Sequence, residues 1–319
     1  MMPRKQLGAP EEHPATSLTP DHPLVVACAA DERFARPLAV ALFSLLSNYR
    51  GSLILKIYIV DGGMRPASRS RVERVLGGFG VASEWLAPNW RPVEHLIVSE
   101  RFPRSIYLRL MIPELLPKDY KKAIYLDSDV LVEEDISKLW DYSTFQRSLL
   151  AVQDDGCPTV GSQWGLPNYA ELSLEPDTMY FNSGVLVFDL ERWRERQITA
   201  RIIKYVETCA HHMRFVEQEA MNAVLIDDWG ALDRRWNQLV SPWEGHNRKR
   251  YERGILHFVS PHKPWTPKGV HWTNPLYDGY LRRSGWYRML SWWQFYLPLT
   301  VQRAFVRWAR AHVARTTAH

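Results

Sequence analysis

The sequence is poor in cysteine and has no hydrophobic segment long enough to cross a membrane. Its three cysteines, Cys28, Cys157 and Cys209, lie far apart and form no CxxC pair. An odd, scattered set of cysteines argues against a disulfide framework and fits a reducing compartment such as the cytoplasm. The uncharged stretch 289–302 has 14 residues, whereas a membrane-spanning helix needs about 20 mostly apolar ones. We therefore expect a cytoplasmic protein without a membrane span.

The N-terminus lacks the apolar core of a signal peptide. Residues 1–23 contain five prolines, a composition that favours neither a helix nor a signal sequence, and we predict a flexible tail over 1–21. Of all 319 residues, 46% are hydrophobic and 24% are charged, as in ordinary globular proteins. No internal repeat or low-complexity linker divides the chain. We predict one α/β domain over 22–275, followed by a basic, aromatic helical extension over 276–319.

Acidic residues are missing from most of that extension. From 281 to 319 there are seven arginines and no Asp, Glu or Lys, so the net charge of +5 leaves −2 (5 − 7) on the preceding residues. Val301, Phe305 and Trp308 share one helical face, with arginines on another. This combination is typical of a helix on an anionic membrane surface, and equally of a helix docked on the body. No zinc spacing or helix-turn-helix signal accompanies the charge, so we expect no nucleic-acid partner.

Hydrophobic runs and helical periodicity alternate along the body. Continuous apolar runs are typical of strands buried on both faces, and apolar residues at i, i+3 and i+4 are typical of helices packed on them. The predicted strands are 24–30, 52–63 with its turn, 122–132, 148–155, 181–190 and 254–258. One predicted helix begins at Pro37, and the others cover 68–76, 106–116, 194–210 and 216–226. This alternation predicts an α/β fold with a parallel sheet.

The segment 124–132, IYLDSDVLV, places two carboxylates in an apolar strand. Side chains two residues apart in a strand point to the same side, so Asp127 and Asp129 are expected to lie close together. Two negative charges at short range are costly unless a cation lies between them. Oxygen ligands suit Mg²⁺ or Mn²⁺. The alternative is a strand-end turn with solvated acids.

A second polar cluster, 257–265, begins in the last predicted strand. It contains His257 and Lys263 on a loop that two prolines restrict. His257 would complete a mixed oxygen and imidazole set that suits Mn²⁺, and Lys263 would neutralise phosphate oxygens. The alternative is a structural histidine beside an apolar strand.

Six segments together resemble glycosyltransferase family 8, and they occur in the order typical of that family. They are AADERF (29–34), YLRL (107–110), YLDSDVLV (125–132), FNSGVLVFDL (181–190), EQEAMNAVL (217–225) and HFVSPHKPW (257–265). The resemblance implies a retaining, metal-dependent enzyme of GT-A fold, with a Rossmann-like mixed, mostly parallel sheet flanked by helices. It also implies a nucleotide-sugar donor. Members include bacterial lipooligosaccharide galactosyl- and glucosyltransferases.

One group of residues is implied by this resemblance to hold the metal and the nucleotide. Asp127 and Asp129 match the DxD of the family and His257 its third Mn²⁺ ligand, with Mg²⁺ as the alternative ion. Lys263 matches a lysine that contacts the donor diphosphate. The other implied donor-binding residues are Ala29 and Asp31 at the uracil and ribose, Ser128 within the DxD segment, and Ser260, where the family usually has glycine.

A second group is implied at the donor sugar. The positions that match those holding sugar hydroxyls are Arg109, Asp154 and Asn182. Gln218 matches the glutamine near the anomeric carbon, and the surrounding segment reads EQE where the family usually has DQD. We expect Gln218, Asp154 and Glu217 to be catalytic. Because a neutral amide is a poor nucleophile, Gln218 favours front-face attack by the acceptor, with the amide stabilising positive charge at the anomeric carbon.

The expected function is transfer of galactose or glucose from UDP-galactose or UDP-glucose to a saccharide or glycolipid acceptor. A membrane-bound extension would place the enzyme as a peripheral protein on the inner face of the cell membrane. Three alternatives stay open. A strand ending in DxDxL also occurs in haloacid-dehalogenase phosphatases, although those chains carry it on their first strand. The others are a non-catalytic sugar- or membrane-binding relative and a glycogenin-like self-glucosylating enzyme.

Overall fold

The apolar runs of the sequence form the strands of a central sheet. The computed structural model describes residues 23–99, 102–240, 251–266 and 273–286. The strands are β1 (Leu24–Ala30), β2 (Leu55–Asp61), β3 (Ser83–Leu86), β4 (Lys122–Leu126), β5 (Val130–Val132), β6 (Leu149–Gln153), β7 (Phe181–Asp189), β8 (Trp229–Ala231), β9 (Gln238–Leu239) and β10 (Ile255–His257). The helices are α1 (Ala35–Asn48), α2 (Pro66–Gly77), α3 (Leu108–Leu115), α4 (Ser137–Trp140), α5 (Leu190–Glu195), α6 (Ile198–Cys209), α7 (Val216–Val224) and α8 (Asn274–Arg283).

The main sheet has seven strands in the order β3-β2-β1-β4-β7-β6-β8. β7 pairs antiparallel with β4 and β6, and the other neighbouring pairs are parallel. The predicted α/β sheet is confirmed as mixed and mostly parallel. The strand order reverses between β1 and β4, because the chain runs outward from β1 to β3 and then returns. In open α/β sheets such a switch point forms a crevice at the carboxyl ends of the strands, where ligands bind.

The core lies on both faces of the central strands. Residues 24–28 of β1 are at most 1% exposed, which is why that segment reads as an unbroken apolar run. α1 packs Leu38, Leu42 and Leu45 into the core. This helix begins at Ala35 rather than at the predicted Pro37, which lies in the first turn, where a missing N–H leaves no helical hydrogen bond unmade. All three cysteines are free thiols.

The segment 122–132 is two strands, whereas a single strand was predicted. β4 ends at Leu126 and β5 begins at Val130, so Asp127 and Asp129 lie in the connecting turn. β5 leaves the main sheet and pairs antiparallel with β10, which in turn pairs parallel with β9. Strand alternation was therefore the wrong reason to place the two carboxylates together. The turn between the two sheets brings them together instead.

The start of the predicted C-terminal extension packs on the body of the protein. Tyr277, Tyr280 and Leu281 of α8 are buried, as is Trp286 beyond it. The predicted flexible tail at 1–21 and most of the predicted basic extension, 287–319, lie outside the described residues. Within the part of the chain that is described, no helix has both the length and the apolar character needed to span a bilayer.

Candidate active site

Three predicted metal ligands converge beyond the end of β4. Asp127 and Asp129 lie in the turn after that strand, and His257 is the last residue of β10. His257 Nε2 lies 3.7 Å from Asp127 Oδ2 and 3.3 Å from Asp129 Oδ1. One ligand atom from each residue lies within 4.8 Å of the other two. Two carboxylate oxygens and an imidazole nitrogen suit Mn²⁺ and are compatible with Mg²⁺, so these residues fit a divalent cation.

In each aspartate, the carboxylate oxygen that does not face His257 lies near a positively charged side chain. Asp127 Oδ1 is 3.0 Å from Arg109 Nη2, and Asp129 Oδ2 is 2.7 Å from Lys263 Nζ. Burial acts to raise the pKa of Asp129, but the charges of Lys263 and His257 outweigh burial and hold this pKa well below its usual range. The pKa of Asp127 is raised, because burial and the charge of Asp129 outweigh Arg109 and His257. Burial thus disfavours the charged form of Asp127, and a cation bound beside it would stabilise that form.

Gly184 of β7 makes room for the imidazole. A Cβ at this position would lie 2.2 Å from His257 Cε1 and 2.6 Å from His257 Nδ1, much closer than nonbonded atoms rest. The Gly184 carbonyl also accepts the backbone N–H of Asp127 at 2.8 Å. A glycine inside a strand often marks such a close approach. The same residue thus helps to place both the imidazole and the first aspartate.

A pocket beside the aspartates is lined by three of the residues predicted to bind the donor nucleotide. Ala29, Asp31 and Ser128 line it together with Asp127 and Asp129. Ser128 Oγ donates to the Ala29 carbonyl at 2.9 Å, which ties the turn to the end of β1. The pocket therefore lies at the switch point between β1 and β4.

The Asp31 carboxylate is held at this pocket by two side chains. It accepts hydrogen bonds from Ser105 Oγ at 2.9 Å and from Arg33 Nη2 at 2.8 Å. Burial acts to raise the pKa of Asp31, but the hydrogen bonds from Arg33 and Ser105 lower it overall. Asp31 is therefore ionised at neutral pH, so its carboxylate can accept a hydrogen bond and cannot donate one.

Arg109 of α3 connects the metal ligands to the start of α7. Its Nη1 lies 3.6 Å from Glu217 Oε1 and donates to the Ser183 carbonyl at 2.9 Å. Burial raises the pKa of Glu217 to about 7, although Arg109 acts to lower it. Glu217 is one methylene longer than the aspartate usual in the family, and its carboxyl group still reaches Arg109 at the site. With a pKa of about 7, this carboxyl group is partly protonated near neutral pH.

Asp154, Asn182 and Gln218 form one hydrogen-bonded group. Asp154 Oδ2 accepts from Asn182 Nδ2 at 2.9 Å and from Gln218 Nε2 at 3.2 Å. Gln218 Oε1 accepts the backbone N–H of Ser183 at 3.0 Å. Ser183 also contacts Arg109. The residues placed at the donor sugar by the resemblance are thus neighbours in the structure.

Ser260 and Glu219, which both differ from the usual family pattern, make local hydrogen bonds. Glu219 Oε1 accepts two backbone N–H groups just before α7, at 2.8 and 2.7 Å. These N–H groups would otherwise lack helical partners. Ser260 Oγ accepts the backbone N–H of His262 at 3.0 Å. Ser260 therefore shapes the loop that carries Lys263.

Comparison with known proteins identifies the family. A sequence model described as glycosyl transferase family 8 matches residues 25–269. The chain belongs to family 8. General stress protein A of Bacillus subtilis (strain 168) is 33% identical over 277 residues, which cover 82% of this chain and 94% of that protein. Lipopolysaccharide 1,2-glucosyltransferase of Escherichia coli (strain K12) is 23% identical over 272 residues, which cover 82% of this chain and 79% of that protein.

Solved structures establish the fold of this family 8 member. Galactosyltransferase LgtC, in complex with donor and acceptor sugar analogues, aligns with a TM-score of 0.70 at 23% identity, covering 82% of this chain and 96% of that chain. The predicted GT-A fold is confirmed. The protein is accordingly a glycosyltransferase, of a family whose members use a divalent metal and a nucleotide sugar.

Several residues that shape this family 8 site were not predicted from the sequence. They are Tyr125, which donates to Asp127, Ser183, which contacts Arg109 and Gln218, and Asn237, which lies 3.0 Å from His257. The isolated Gly184 within an apolar strand was a usable signal of a close approach. No local pattern marks Asn237, because its contact depends on β9 lying beside β10.

Proposed function

We propose that this glycosyltransferase moves galactose or glucose from a UDP-sugar to a saccharide or glycolipid acceptor, with retention of configuration. The observation that carries the proposal is the convergence of Asp127, Asp129 and His257 beside the pocket that Asp31 lines. A cation held by these residues would lie next to this pocket, which supports a diphosphate-containing donor. The relative named lipopolysaccharide 1,2-glucosyltransferase supports a hexose donor and a saccharide acceptor.

The proposed cofactor is Mn²⁺, with Mg²⁺ as the alternative. Asp127, Asp129 and His257 would hold the cation, which when bound supplies positive charge that stabilises the departing nucleoside diphosphate. Lys263 contributes a second positive group, because its Nζ is anchored by Asp129 Oδ2 and by the Phe258 carbonyl. The loop thus presents a fixed charge to the leaving group, and no strong protein acid is required.

Front-face attack fits this site because the carboxylate of Asp154 is already engaged in hydrogen bonds. Asp154 Oδ1 accepts the backbone N–H groups of Gly156 and Cys157 at 2.9 and 3.1 Å, and Oδ2 accepts two side-chain amides. Four hydrogen-bond donors occupy all of the roughly four acceptor sites of a carboxylate. Asp154 is therefore poorly placed to act as a nucleophile. Its role in the proposal is to position Asn182 and Gln218. The neutral amide of Gln218 would stabilise positive charge at the anomeric carbon.

A donor screen tests the proposal. The protein is incubated with Mn²⁺ and UDP-galactose, UDP-glucose, UDP-N-acetylglucosamine or GDP-mannose, and nucleotide release is measured. We expect release from a UDP-hexose and a loss of about 100-fold or more in Asp129→Asn. Asp155→Asn is the matched control, because it makes the same substitution at an aspartate that pairs with Arg234, at 2.8 Å, and is not a predicted metal ligand. Absence of release from every UDP-sugar, or undiminished release by Asp129→Asn, would contradict the proposal and favour a non-catalytic relative.

Product analysis tests the remaining parts of the proposal. NMR of the product made on a saccharide acceptor shows the anomeric configuration, and inversion would exclude the retaining mechanism. Intact-mass measurement after incubation with UDP-glucose detects self-glucosylation, the family alternative in which the protein is its own acceptor. The proposed position at the inner face of the cell membrane is supported by the basic stretch 281–319, with seven arginines and no acids.

A further inference from the structure

A chain of buried hydrogen bonds connects Asp154 to His257. Asn182 Nδ2 donates to Asp154 Oδ2 at 2.9 Å, and Asn237 Nδ2 donates to Asn182 Oδ1 at 2.9 Å. His257 Nδ1 lies 3.0 Å from Asn237 Oδ1. Asn182, Asn237 and His257 are 6%, 1% and 4% exposed. Polar groups buried to this degree need partners within the protein, so these contacts constrain one another.

The direction of each hydrogen bond is fixed at Asn182. Its Oδ1 also receives the backbone N–H of Gly184 at 2.9 Å, and a backbone N–H can only donate. Its Nδ2 faces the Asp154 carboxylate, which in its ionised form can only accept. That carboxylate already accepts the backbone N–H groups of Gly156 and Cys157 on its other oxygen. The oxygen and nitrogen ends of the Asn182 amide are therefore both determined.

The same reasoning determines the orientation of Asn237 and the protonated nitrogen of His257. Because Asn182 Oδ1 is an acceptor, the group of Asn237 that faces it must be the NH₂ group. The Oδ1 of Asn237 then faces His257 Nδ1, which must carry a proton to make this contact. The neutral ring therefore leaves Nε2 unprotonated. That lone pair faces Asp129 Oδ1 at 3.3 Å and Asp127 Oδ2 at 3.7 Å.

We propose that Asn237 is a positioning residue that sets the Nδ1–H tautomer of His257 and so presents Nε2 to a divalent cation. The inference rests on the proposed function, and Asn237 acts through His257 without touching the cation or the donor. A hydrogen-bond partner of this kind fixes both the tautomer and the ring orientation of a metal-binding histidine. Asp154 anchors the far end of the same chain and also accepts from Gln218, so one carboxylate orients two parts of the site.

The tautomer is the first readout and needs neither metal nor donor. NMR of metal-free, ¹⁵N-histidine-labelled protein at pH 8, with His257 assigned by comparison with His257→Gln, should show Nδ1 protonated and Nε2 unprotonated. Asn237→Ala removes the acceptor and should shift the population towards Nε2–H. Asn237→Asp loses the NH₂ group that donates to Asn182 Oδ1 but keeps an acceptor for Nδ1–H, and it should retain the Nδ1–H tautomer. An Nε2–H tautomer in the wild type, or an unchanged tautomer in Asn237→Ala, would overturn the proposal.

Mn²⁺ affinity, measured by titration calorimetry, is the second readout. We expect the Kd to rise about 10- to 100-fold in Asn237→Ala and to stay near the wild-type value in Asn237→Asp. Asn168→Ala is the matched control, since Asn168 is a buried amide that accepts from Tyr205 at 2.8 Å. Equal losses of affinity in Asn237→Ala and Asn237→Asp, or an equal loss in Asn168→Ala, would indicate a packing effect and would overturn the proposal.

The two readouts also separate this inference from the proposed function. A wild-type protein that releases no nucleotide from any UDP-sugar would refute the proposed function. The tautomer measurement would still decide the role of Asn237, because it uses the metal-free protein. Conversely, a UDP-sugar-dependent enzyme in which Asn237→Ala changes neither the tautomer nor the Mn²⁺ Kd would refute the inference alone.

Discussion

Replacement of Gly184 by alanine should displace the imidazole of His257. The added Cβ would lie 2.2 Å from His257 Cε1 and 2.6 Å from His257 Nδ1. Because nonbonded carbon atoms rest about 3.5–4.0 Å apart, the ring must retreat by more than about 1 Å, or β7 must move. Overpacking of a buried site costs about 1–3 kcal/mol in free energy of unfolding. We therefore expect Tm, measured by differential scanning calorimetry, to fall by several degrees.

The same displacement should weaken cation binding. A ring that retreats from β7 changes the distances from His257 Nε2 to both aspartates. It also disturbs the 3.0 Å contact between His257 Nδ1 and Asn237 Oδ1. We expect the Kd for Mn²⁺, measured by titration calorimetry, to rise by at least about tenfold. Gly279→Ala is the matched control, because a Cβ at Gly279 would meet no atom within 4 Å. That variant should keep the wild-type Mn²⁺ affinity, and its Tm should equal or exceed that of the wild type, because alanine is favoured over glycine inside a helix.

A double-mutant cycle isolates the clash between Gly184 and His257. In a His257→Ala background the ring is absent, so Gly184→Ala should cost much less free energy of unfolding than it does in the wild type. An equal cost in both backgrounds would refute the assignment of the strain to the imidazole. So would a Gly184→Ala protein with wild-type Tm and Mn²⁺ affinity.

Three further changes test separate parts of the structure. Burial raises the pKa of Glu217 from 4.5 to about 7, so the folded state binds this proton more tightly than the unfolded state does. The free energy of unfolding of the wild type should therefore fall as the pH rises from about 4.5 to about 7. Glu217→Gln should flatten this slope in melts from pH 5 to 8, and equal slopes would contradict the pKa assignment. Glu219→Ala should lose about 1–3 kcal/mol in urea unfolding, because two backbone N–H groups before α7 lose their acceptor; Glu219→Gln keeps an acceptor and should lose less. Deletion of 287–319 leaves α8 intact and should weaken co-sedimentation with anionic vesicles while nucleotide release persists; undiminished sedimentation would argue against membrane contact.

The long strands could be predicted from the sequence because their burial imposes a local pattern. β1 is covered on both faces and reads as a continuous apolar run, and the buried stretch 185–188 of β7 does the same. β3, β8 and β9 were not predicted. They have four, three and two residues, which is too short for a periodicity to register. Their strand character depends on pairing with neighbours that are distant along the chain.

The candidate site was predictable in composition but only partly in geometry. Carboxylates after an apolar strand and a distant histidine identified the cluster of Asp127, Asp129 and His257, which the structure brings together. The geometry depends on the turn between β4 and β5 and on the pairing of β5 with β10, neither of which leaves a local signal. The contact of Asn237 with His257 spans 20 residues of sequence and was invisible for the same reason. The roles assigned to the donor-binding residues stay predictions.

The candidate cation site lies at the junction of the two sheets. Asp127 follows a strand of the seven-stranded sheet, whereas His257 ends a strand of the three-stranded sheet. The close approach of the imidazole to Gly184 of β7 is a contact between the two sheets. The backbone N–H of Phe258 donates to the Asp129 carbonyl at 3.0 Å, which extends the pairing of β10 with β5 up to the turn that holds the aspartates. The three ligand atoms converge only when the small sheet is docked on the large one. A cation bound by all three would therefore stabilise that docking by mass action, so substitutions that separate the sheets should weaken cation binding even where they leave every ligand in the sequence.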